Sequence, residues 1–336
     1  MRIVLTGCSG YIGSRLAPRL AAAGHEIIGI DRAPLPSPLP LARFIQTDLL
    51  EPPAYATALE GADLICHLAA AKGDWGISAE EYARDNVEAT RSLIGAAEKA
   101  GCGRWIFYST VSVLGPSEAP LSEQAPRRAI NDYGESKARA EELYEAYAAR
   151  RGAQIINIRP SVVYGPENPW NTNVYRLTDA IWRNRFLMIG RGREVKTTSY
   201  IDNLLDAHMF LLERAAYPAE GKMDPYHYVD EPACTTAGLV AAISAKLGKK
   251  APSIRLPLAV ASPLALVGDA AAALTGLDLP ITSARVRKFC TATNFSSEKI
   301  RRLGFVQRWS NDEALQATVD WYLTTHASRP VRVKAA

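Results

Sequence analysis

The sequence has few cysteines, and they lie far apart. Its 336 residues include five cysteines, with no C-x-x-C pair, and five histidines without metal-ligand spacing. An odd number of widely spaced thiols excludes a disulfide framework and does not fit a zinc site. We therefore expect reduced core thiols and no metal. The cysteines are Cys8, Cys66, Cys102, Cys234 and Cys290.

An excess of one charge is also missing. The chain has 39 basic and 35 acidic side chains, for a formal net charge of +4, and the positive charges are spread along its length. A binding site for a polyanion needs a concentrated basic patch, and none of the known nucleic-acid-binding motifs occurs. We expect no nucleic-acid partner.

Long hydrophobic runs and a secretion signal are absent as well, so we expect a cytoplasmic protein without a transmembrane segment. The most apolar stretch, Leu256–Leu279, falls short of the uninterrupted run of about 20 residues that a membrane span requires. It predicts a buried or interfacial helix, and a core helix is the favoured interpretation. The residues that interrupt the stretch are Pro257, Pro263, Asp269, Gly276 and Asp278.

The first half of the chain alternates short apolar runs with helical stretches. This alternation predicts an α/β fold, a doubly wound Rossmann-type parallel sheet with a smaller, interleaved C-terminal substrate lobe. The predicted strands are Ile3–Thr6, Glu26–Ile30, Arg43–Gln46, Leu64–His67, Trp105–Ser109 and Gln154–Ile158, with a later strand at Tyr226–Val229. The predicted helices are Ile12–Ala23, Glu80–Ala100, Tyr133–Arg150 and Ile201–Leu212.

The pattern also suggests domain boundaries. Residues 1–165, with about 200–230, form the predicted dinucleotide-binding domain. After Pro160 the chain becomes rich in Pro, Gly and Asn, and residues of about 166–199 and 231–327 form the predicted substrate lobe. Residues 328–336 have the composition of a loose basic tail.

A glycine-rich loop follows the first predicted strand and opens a helix. In Thr6-Gly7-Cys8-Ser9-Gly10-Tyr11-Ile12-Gly13, Gly7 permits a tight turn, Gly10 lets the backbone approach a pyrophosphate, and Gly13 allows the helix to pack on the sheet. The phosphates would lie at the helix N-terminus. This context predicts a dinucleotide site.

An acidic residue lies where such a site needs one. Asp31 closes the second strand, 18 residues after Gly13, and its carboxylate suits a ribose hydroxyl but repels a 2′-phosphate. The adjacent Arg32 could tolerate that phosphate, so NADP stays open, but we expect NAD. Two loops at strand ends, Asp48-Leu49 and Leu68–Lys72, lie where the rest of the dinucleotide would pass.

A tyrosine and a lysine four residues apart indicate acid–base chemistry. Tyr133 and Lys137 lie on one face of a predicted helix, where the ammonium charge favours a phenolate. Ser109 and Thr110 supply hydroxyl groups at the end of the preceding strand, where ligands bind in such sheets. Together with the dinucleotide loop, this set predicts hydride chemistry on an alcohol or ketone.

These motifs resemble the extended short-chain dehydrogenases/reductases, the NAD-dependent epimerase/dehydratase family, over nearly the whole chain. The resemblance implies Tyr133 as the acid/base, Lys137 bound to the nicotinamide ribose, and Thr110 as the substrate-orienting hydroxyl. It also implies homodimers formed through the helices Glu80–Ala100 and Tyr133–Arg150. The matching motifs are Thr6–Gly13, Leu68–Lys72, Asp85-Asn86-Val87, Ser109-Thr110 with Gly115, Tyr133 with Lys137, Arg159-Pro160, Tyr164-Gly165-Pro166 and Tyr200-Ile201-Asp202-Asn203.

The resemblance extends the set of candidate site residues. The implied cofactor contacts beyond those already given are Tyr11, Ile12, Leu68, Ala69, Ala70, Lys72, Asn86, Ser109, Pro160 and Val163. The implied substrate contacts are Thr110, Ser112, Ser161, Asn171, Arg193 and Lys196.

The two residues after Thr110 narrow the branch of the family. Dehydratase and decarboxylase branches carry an acidic residue there, whereas this chain has Val111 and Ser112. Arg193 and Lys196 lie in a basic loop similar to one that contacts a pyrophosphate, which favours an epimerase acting through a keto intermediate on a sugar nucleotide or diphosphate-linked sugar. The alternative is a 3β-hydroxysteroid-dehydrogenase-like alcohol dehydrogenase or ketoreductase, because Leu256–Leu274 resembles a stretch of that branch.

Overall fold

A computed structural model of the chain describes residues 1–73, 76–214, 216–275 and 282–325, without the side chains of residues 284, 285, 288 and 289. The predicted tail at 328–336 lies outside the described residues, as do Gly276 and Asp278.

The described chain forms strands and helices in alternation. The strands are β1 Arg2–Thr6, β2 Glu26–Asp31, β3 Arg43–Gln46, β4 Leu64–His67, β5 Arg104–Tyr108, β6 Ser117–Leu121, β7 Gln154–Pro160, β8 Val162–Tyr164, β9 Met188–Ile189, β10 Val195–Lys196, β11 Thr198–Tyr200, β12 Lys222–Tyr228, β13 Cys234–Thr235, β14 Arg255–Leu256 and β15 Thr293–Phe295. The α-helices are α1 Gly13–Ala22, α2 Pro52–Leu59, α3 Ala79–Tyr82, α4 Ala89–Ala100, α5 Asp132–Arg151, α6 Asn173–Trp182, α7 Ile201–Glu213, α8 Thr236–Lys246, α9 Leu258–Thr275, α10 Ser283–Cys290, α11 Glu298–Arg302 and α12 Asn311–Thr325. A π-helical turn, Ala83–Glu88, joins α3 to α4, and Val111–Leu114 forms a 3₁₀ turn.

Seven strands form one parallel sheet in the order β12-β7-β5-β4-β1-β2-β3. The strand order reverses between β1 and β4, so the loops after these two strands diverge and leave a crevice at the carboxyl edge of the sheet. This arrangement confirms the predicted doubly wound Rossmann-type fold. The six predicted strands of the first half and the predicted helices Ile12–Ala23, Tyr133–Arg150 and Ile201–Leu212 are present, with small changes at their ends. The predicted helix Glu80–Ala100 is divided into α3 and α4 by the π-helical turn.

Apolar residues cover both faces of the sheet because side chains alternate along each strand. Ile3 and Leu5 of β1 belong to the core that includes α1 and α7, whereas Val4 belongs to the core that includes α2, α4 and α5. Helices therefore cover both faces of the sheet, and its carboxyl edge is the part that can bind ligands.

The remaining strands build smaller sheets. Strands β13, β10, β15 and β6 form a four-stranded sheet, and the pairs β11-β8 and β14-β9 complete the set. Strand β6 comes from the first half of the chain, so the two halves interleave. The domain boundaries stay a prediction.

The apolar stretch near Leu256 differs from its favoured interpretation. It forms α9, in which Ala261, Ala265 and Ala272 are buried while its large apolar side chains are exposed. The prediction of a core helix was wrong, because the chain places alanines rather than leucines on the side that packs. Among the described residues, α9 is one helix long and apolar enough to cross a membrane by length and composition alone.

All five cysteines are unpaired. Cys8, Cys66 and Cys102 are buried, and Cys234 and Cys290 are half-buried. In the described part of the chain, no cluster of three or more His, Cys, Asp or Glu side chains could hold a metal ion. Cytoplasmic localisation stays a prediction.

Candidate active site

The glycine-rich loop turns tightly between β1 and α1. Gly7 has a φ of 74°, and a Cβ there would lie 2.6 Å from the backbone nitrogen of Ala69. A Cβ on Gly13 would lie 2.1 Å from the carbonyl oxygen of Gly7. Gly10 donates its N–H to that same oxygen at 3.1 Å. Any larger residue at position 7 or 13 would force this loop apart.

The N-terminus of α1 fits a dinucleotide phosphate. The helix begins at Gly13 after Ile12; in the described structure no side chain caps it, and its first turn contains no acidic residue. Backbone N–H groups at such a helix start, together with the helix dipole, favour an anion. The loop is thus built for the pyrophosphate of the predicted cofactor.

Asp31 lies at the end of β2 beside this loop. Its Oδ2 accepts from the N–H of Ser9 at 2.9 Å, and its Oδ1 accepts from the N–H of Ala33 at 2.9 Å. The carboxylate is therefore held against the glycine-rich loop, the position expected for a partner of the adenosine ribose.

Charged pairs form a network next to Asp31. Arg32 contacts Asp85 at 2.7 Å, and Arg84 contacts Asp48 at 2.7 Å as well as Asp85. Burial alone would raise the pKa of Asp48, but the N–H of Leu50 and the Arg84 guanidinium outweigh it and lower that pKa. The Arg32 guanidinium already pairs with Asp85. To bind a 2′-phosphate, Arg32 would have to give up this ion pair. Arg84 was not singled out from the sequence, and Asp85 was named only as part of the motif around Asn86.

Tyr11 ties the glycine-rich loop to the second half of the chain. Its hydroxyl donates to the carbonyl oxygen of Pro166 at 3.0 Å, and the Arg15 guanidinium lies 4.3 Å from its ring centroid. Arg15 also donates to the carboxylate of Glu167 at 2.6 Å. Tyr11 therefore helps to close the cofactor loop against the Gly165-Pro166 turn.

The loop after β4 is held by Asn86. The side-chain oxygen of Asn86 accepts from the N–H of Ala71 at 2.7 Å, and its amide group donates to the Ala71 carbonyl at 3.1 Å and to the Ser136 hydroxyl at 2.9 Å. Asn86 thus connects the Leu68–Lys72 loop to α5. In this loop Ala70 and Lys72 are exposed, Leu68 and Ala69 are half-buried, and Leu49 is buried nearby.

His67 supports the same edge from inside the core. Its Nδ1 lies 2.8 Å from the Thr6 hydroxyl, its Nε2 lies 3.3 Å from the Thr90 hydroxyl, and its ring stacks on Phe107. Burial, with a smaller effect of the Lys137 charge, lowers the pKa of His67 to about 3. His67 is therefore a neutral structural side chain.

The Thr110 segment and the start of α5 pack closely. The Thr110 hydroxyl accepts from the N–H of Ser112 at 3.2 Å and donates to the Ser112 hydroxyl at 3.2 Å. A Cβ on Gly134 would lie 2.7 Å from the Ser112 carbonyl oxygen. Gly134 follows Tyr133 directly, so the tyrosine and threonine segments meet at the sheet edge. Ser109 precedes them and is anchored by its N–H to Ile158 at 2.8 Å.

Lys137 follows Tyr133 by four residues on α5 and is buried. It is 1% exposed, and its Nζ lies 4.3 Å from the ring centroid of Phe107. Burial lowers its pKa to about 7, although the charge of Glu141 acts in the opposite direction. Its ammonium therefore depends on nearby negative charge to stay protonated near neutrality.

Glu141 supplies that charge and was not anticipated. It is fully buried and contacts Arg159 at 2.6 Å, Arg127 at 2.7 Å and Asn157 at 2.9 Å. Burial would raise its pKa, but Arg159 outweighs this effect and lowers it to about 2. A helical i, i+4 spacing from Lys137 was the one available signal in the sequence.

Two predicted cofactor contacts, Pro160 and Val163, lie at the end of β7 and in β8. Pro160 is the buried last residue of β7, and Val163 is buried in β8 with its carbonyl accepting from the Asn168 amide at 3.1 Å. The Ser161 hydroxyl donates to the carbonyl of Thr197 at 2.7 Å. Ser161 therefore links β8 to the segment that follows β10.

The other substrate candidates are spread over the predicted substrate lobe. Asn171 is exposed in the turn before α6, and Arg193 is exposed in the loop before β10. Lys196 lies in β10, where its ammonium donates to the carbonyl of Thr291. Of the two basic candidates, Arg193 is the one presented to solvent.

A family model of the NAD dependent epimerase/dehydratase family matches residues 3–223. The chain belongs to this family. It is 32% identical over 335 residues, covering 97% of this chain and 96% of the relative, to N-acetyl-alpha-D-glucosaminyl-diphospho-ditrans,octacis-undecaprenol 4-epimerase of Escherichia coli O157:H7. It is 29% identical, over 94% of this chain and 98% of the relative, to 2-alkyl-3-oxoalkanoate reductase of Stenotrophomonas maltophilia (strain K279a).

Solved structures agree with this membership. The fold is similar to that of MoeE5 in complex with UDP-glucuronic acid and NAD, with a TM-score of 0.75, 25% identity, and coverage of 97% of this chain and 100% of that one. The protein is thus an NAD-dependent epimerase or oxidoreductase of the extended short-chain dehydrogenase/reductase type, and NAD is its cofactor.

Proposed function

We propose that this epimerase-family enzyme inverts a carbinol centre of a sugar that is linked through a diphosphate to a nucleotide or a polyprenol. The observation that carries the proposal is the close packing of Gly134 on Ser112, which brings the Tyr133 and Thr110 segments together. The Escherichia coli relative, matched over nearly its whole length, acts on a substrate of this class by its name.

In the proposed mechanism Tyr133 moves the proton. Its phenolate takes the proton of the carbinol oxygen as the sugar becomes a ketone, and the phenol so formed gives the proton back when the alcohol forms again. Lys137 favours the phenolate by its charge, which Glu141 supports, and Thr110 holds the substrate oxygen. When bound, NAD supplies an acceptor for the hydride of the carbinol carbon and a donor that returns it to the opposite face.

The segment after Thr110 lacks the additional acid or base that an elimination would need. The residues after Thr110 are Val111 and Ser112, and Val111 is buried with no titratable group to offer. A dehydratase needs an additional acid or base next to the reacting carbon. Epimerisation needs the tyrosine, the lysine and the hydroxyl alone, and the exposed Arg193 guanidinium suits the diphosphate.

The test is to purify the full chain without added cofactor and to assay it with UDP-glucose, UDP-N-acetylglucosamine and N-acetylglucosaminyl-diphospho-polyprenol. We expect a change of sugar configuration without release of NADH. Tyr133→Phe should lower turnover by roughly 10²–10⁴-fold. The matched control is Tyr82→Phe, because the Tyr82 ring lies 5.9 Å from that of Tyr133 while its hydroxyl donates to the carbonyl of Gly73. Near-native turnover by Tyr133→Phe would refute the mechanism.

A second candidate is an alcohol dehydrogenase or ketoreductase for an apolar substrate. The exposed apolar side chains of α9 and the similarity to the Stenotrophomonas reductase favour it. This reaction consumes or releases reduced cofactor in every turnover. Stoichiometric NADH or NAD formation with a hydroxysteroid or a 3-oxoalkanoate, and no reaction with a diphosphate-linked sugar, would establish it in place of the epimerase.

A further inference from the structure

In helix α9 the large apolar side chains are exposed and small ones are buried, the reverse of a core helix. Val260, Leu264, Val267 and Leu274 follow a helical spacing along one stripe and are 47%, 47%, 68% and 87% exposed. The alanines at 261, 265 and 272 are buried and form a separate stripe, about a third of a turn around the helix. We call the exposed stripe, together with the exposed Leu258 and Leu266 elsewhere on the helix, the α9 apolar face.

We propose that the α9 apolar face docks on an anionic membrane surface. Exposed apolar side chains gain free energy when they leave water, and a lipid interface covers them without needing a shaped partner. A seam between two copies of a helix is normally flanked by charged side chains that set register and partner. Asp269 is the single charged residue in Leu258–Thr275, so α9 offers no such flanks.

The helix is held on the protein surface, which favours docking over crossing. Ala261 and Ala265 pack with Val286 of α10, and the Asp269 carboxylate accepts from the N–H of Ser283 at 3.0 Å. A spanning helix would have to break these contacts and carry the Asp269 charge into lipid, which is costly. We therefore infer an interfacial position with the outer stripe immersed.

Basic residues lie at the N-terminal end of the helix. Arg255 lies just before α9 and donates to the carbonyl of Arg191 at 3.3 Å, and Arg191, Arg193 and Arg255 are all exposed. Lipid phosphates attract arginine side chains, and they lie at the depth in the membrane where an immersed apolar stripe would end. We call these three arginines the basic edge.

The docking surface is continuous with the loop proposed to hold the diphosphate. The N–H of Gly190 donates to the carbonyl of Leu256 at 2.9 Å, and Cys290 and Ile189 pack in the small core under α9. A polyprenol could thus remain in the bilayer while its diphosphate reaches the Arg193 loop. This inference rests on the proposed function for the diphosphate-linked sugar as substrate. It adds that the enzyme meets this substrate at the membrane surface.

The experiment measures vesicle binding without turnover. The NAD-loaded full chain is floated with vesicles of phosphatidylcholine, or of phosphatidylcholine with about one-third phosphatidylglycerol. We expect the protein to float with the anionic vesicles and to be released by salt. The triple variant Leu264→Asn/Val267→Asn/Leu274→Asn should bind at least about tenfold more weakly. Arg255→Gln should weaken binding to the anionic vesicles only.

The matched control is Val306→Asn, because Val306 is 80% exposed and lies in the loop between α11 and α12. It should bind vesicles like the parent, and all variants should keep their circular dichroism spectra and their turnover of water-soluble nucleotide sugars. Parent protein that stays unbound, or a triple variant that floats equally well, would overturn the proposal. If the parent protein does not bind vesicles, and light scattering shows that it forms a larger assembly than the triple variant does, the α9 apolar face contacts a second copy of the chain instead. A protein that floats but epimerises no sugar would refute only the proposed function.

Discussion

The backbone of Gly134 lies against the carbonyl group of Ser112, where a Cβ would come within 2.7 Å of the oxygen. Gly134 belongs to the first turn of α5, and its N–H donates to the side-chain oxygen of Asn131, the N-cap residue, at 2.7 Å. Two local features, a helix cap and a 3₁₀ turn, are thereby fixed relative to each other. The Tyr133 and Thr110 segments owe their proximity to this contact.

Gly134→Ala should move α5 away from Ser112 and reduce turnover. A displacement of about 1 Å in a catalytic group can cost about 10²-fold in rate. Steady-state kinetics with the sugar substrate should therefore show a lower kcat, while calorimetry should still show NAD binding. The control is Gly103→Ala, since a Cβ at Gly103 would meet nothing within 4 Å. Equal kcat values for the two variants would contradict this account of the site.

Cofactor choice should follow Asp31. Its carboxylate is fixed by the N–H groups of Ser9 and Ala33, so a 2′-phosphate would meet a negative charge that cannot swing aside. Calorimetry should show tighter binding of NAD than of NADP, and Asp31→Ser should narrow the difference by about tenfold or more. Asp63→Ser is the control, because Asp63 accepts from the N–H of Arg2 at the opposite end of β1. Tighter NADP binding by the unaltered protein would refute the assignment.

We propose that the protein forms a homodimer through α4 and α5, as the family resemblance implies. A shallow groove between these helices is lined by Arg91, Gly95, Leu143 and Ala146, among others. Ala146→Arg should halve the mass found by light scattering, because a guanidinium placed in a self-complementary interface meets its own copy. Ala149→Arg, on an exposed part of α5 outside that lining set, should leave the mass unchanged. If light scattering gives the mass of a monomer for the parent protein, the proposed homodimer is refuted.

Patterns of short range were enough to predict the sheet and the cofactor loop. Alternating strands and helices fix a doubly wound topology, and the glycines at 7 and 13 are required by contacts within a few residues of the turn or with the adjacent strand end. The helical spacing of Tyr133 and Lys137 was also sufficient to place both residues on α5.

Contacts between distant residues could not be predicted in this way. Asn86 meets Ser136 across 50 positions and Lys196 meets Thr291 across 95, and neither pair leaves a local pattern. The outward stripe of α9 was missed for a related reason. The composition of α9 is that of a core helix. The side of α9 that is buried is set by its packing against α10, which the sequence of α9 does not reveal.

Glu141 and Glu145 provide a final test, since both contact Arg127 but only Glu141 is buried. Glu141→Gln should lower the free energy of unfolding at neutral pH by about 3–5 kcal/mol, because Arg159 would keep a buried charge without its partner. Glu145→Gln should cost less than about 1 kcal/mol, as expected for an exposed pair.

The pH dependence gives the sign of the Glu141 effect. The pKa of Glu141 is about 2 in the folded protein against 4.5 for the free side chain, so the unfolded chain binds the proton first as the pH falls. The stabilisation by Glu141 is therefore complete above about 4.5 and is lost as the pH falls toward about 2. Urea unfolding of the parent and Glu141→Gln proteins between neutral and acidic pH should show their difference shrinking in that window. The same variant should also lower the pKa of Lys137 further, since the charge of Glu141 raises it. The alkaline limb of the pH profile of turnover, where Lys137 loses its charge, should therefore shift to lower pH. A difference in unfolding free energy that stays constant with pH would show that Glu141 acts by packing rather than by charge.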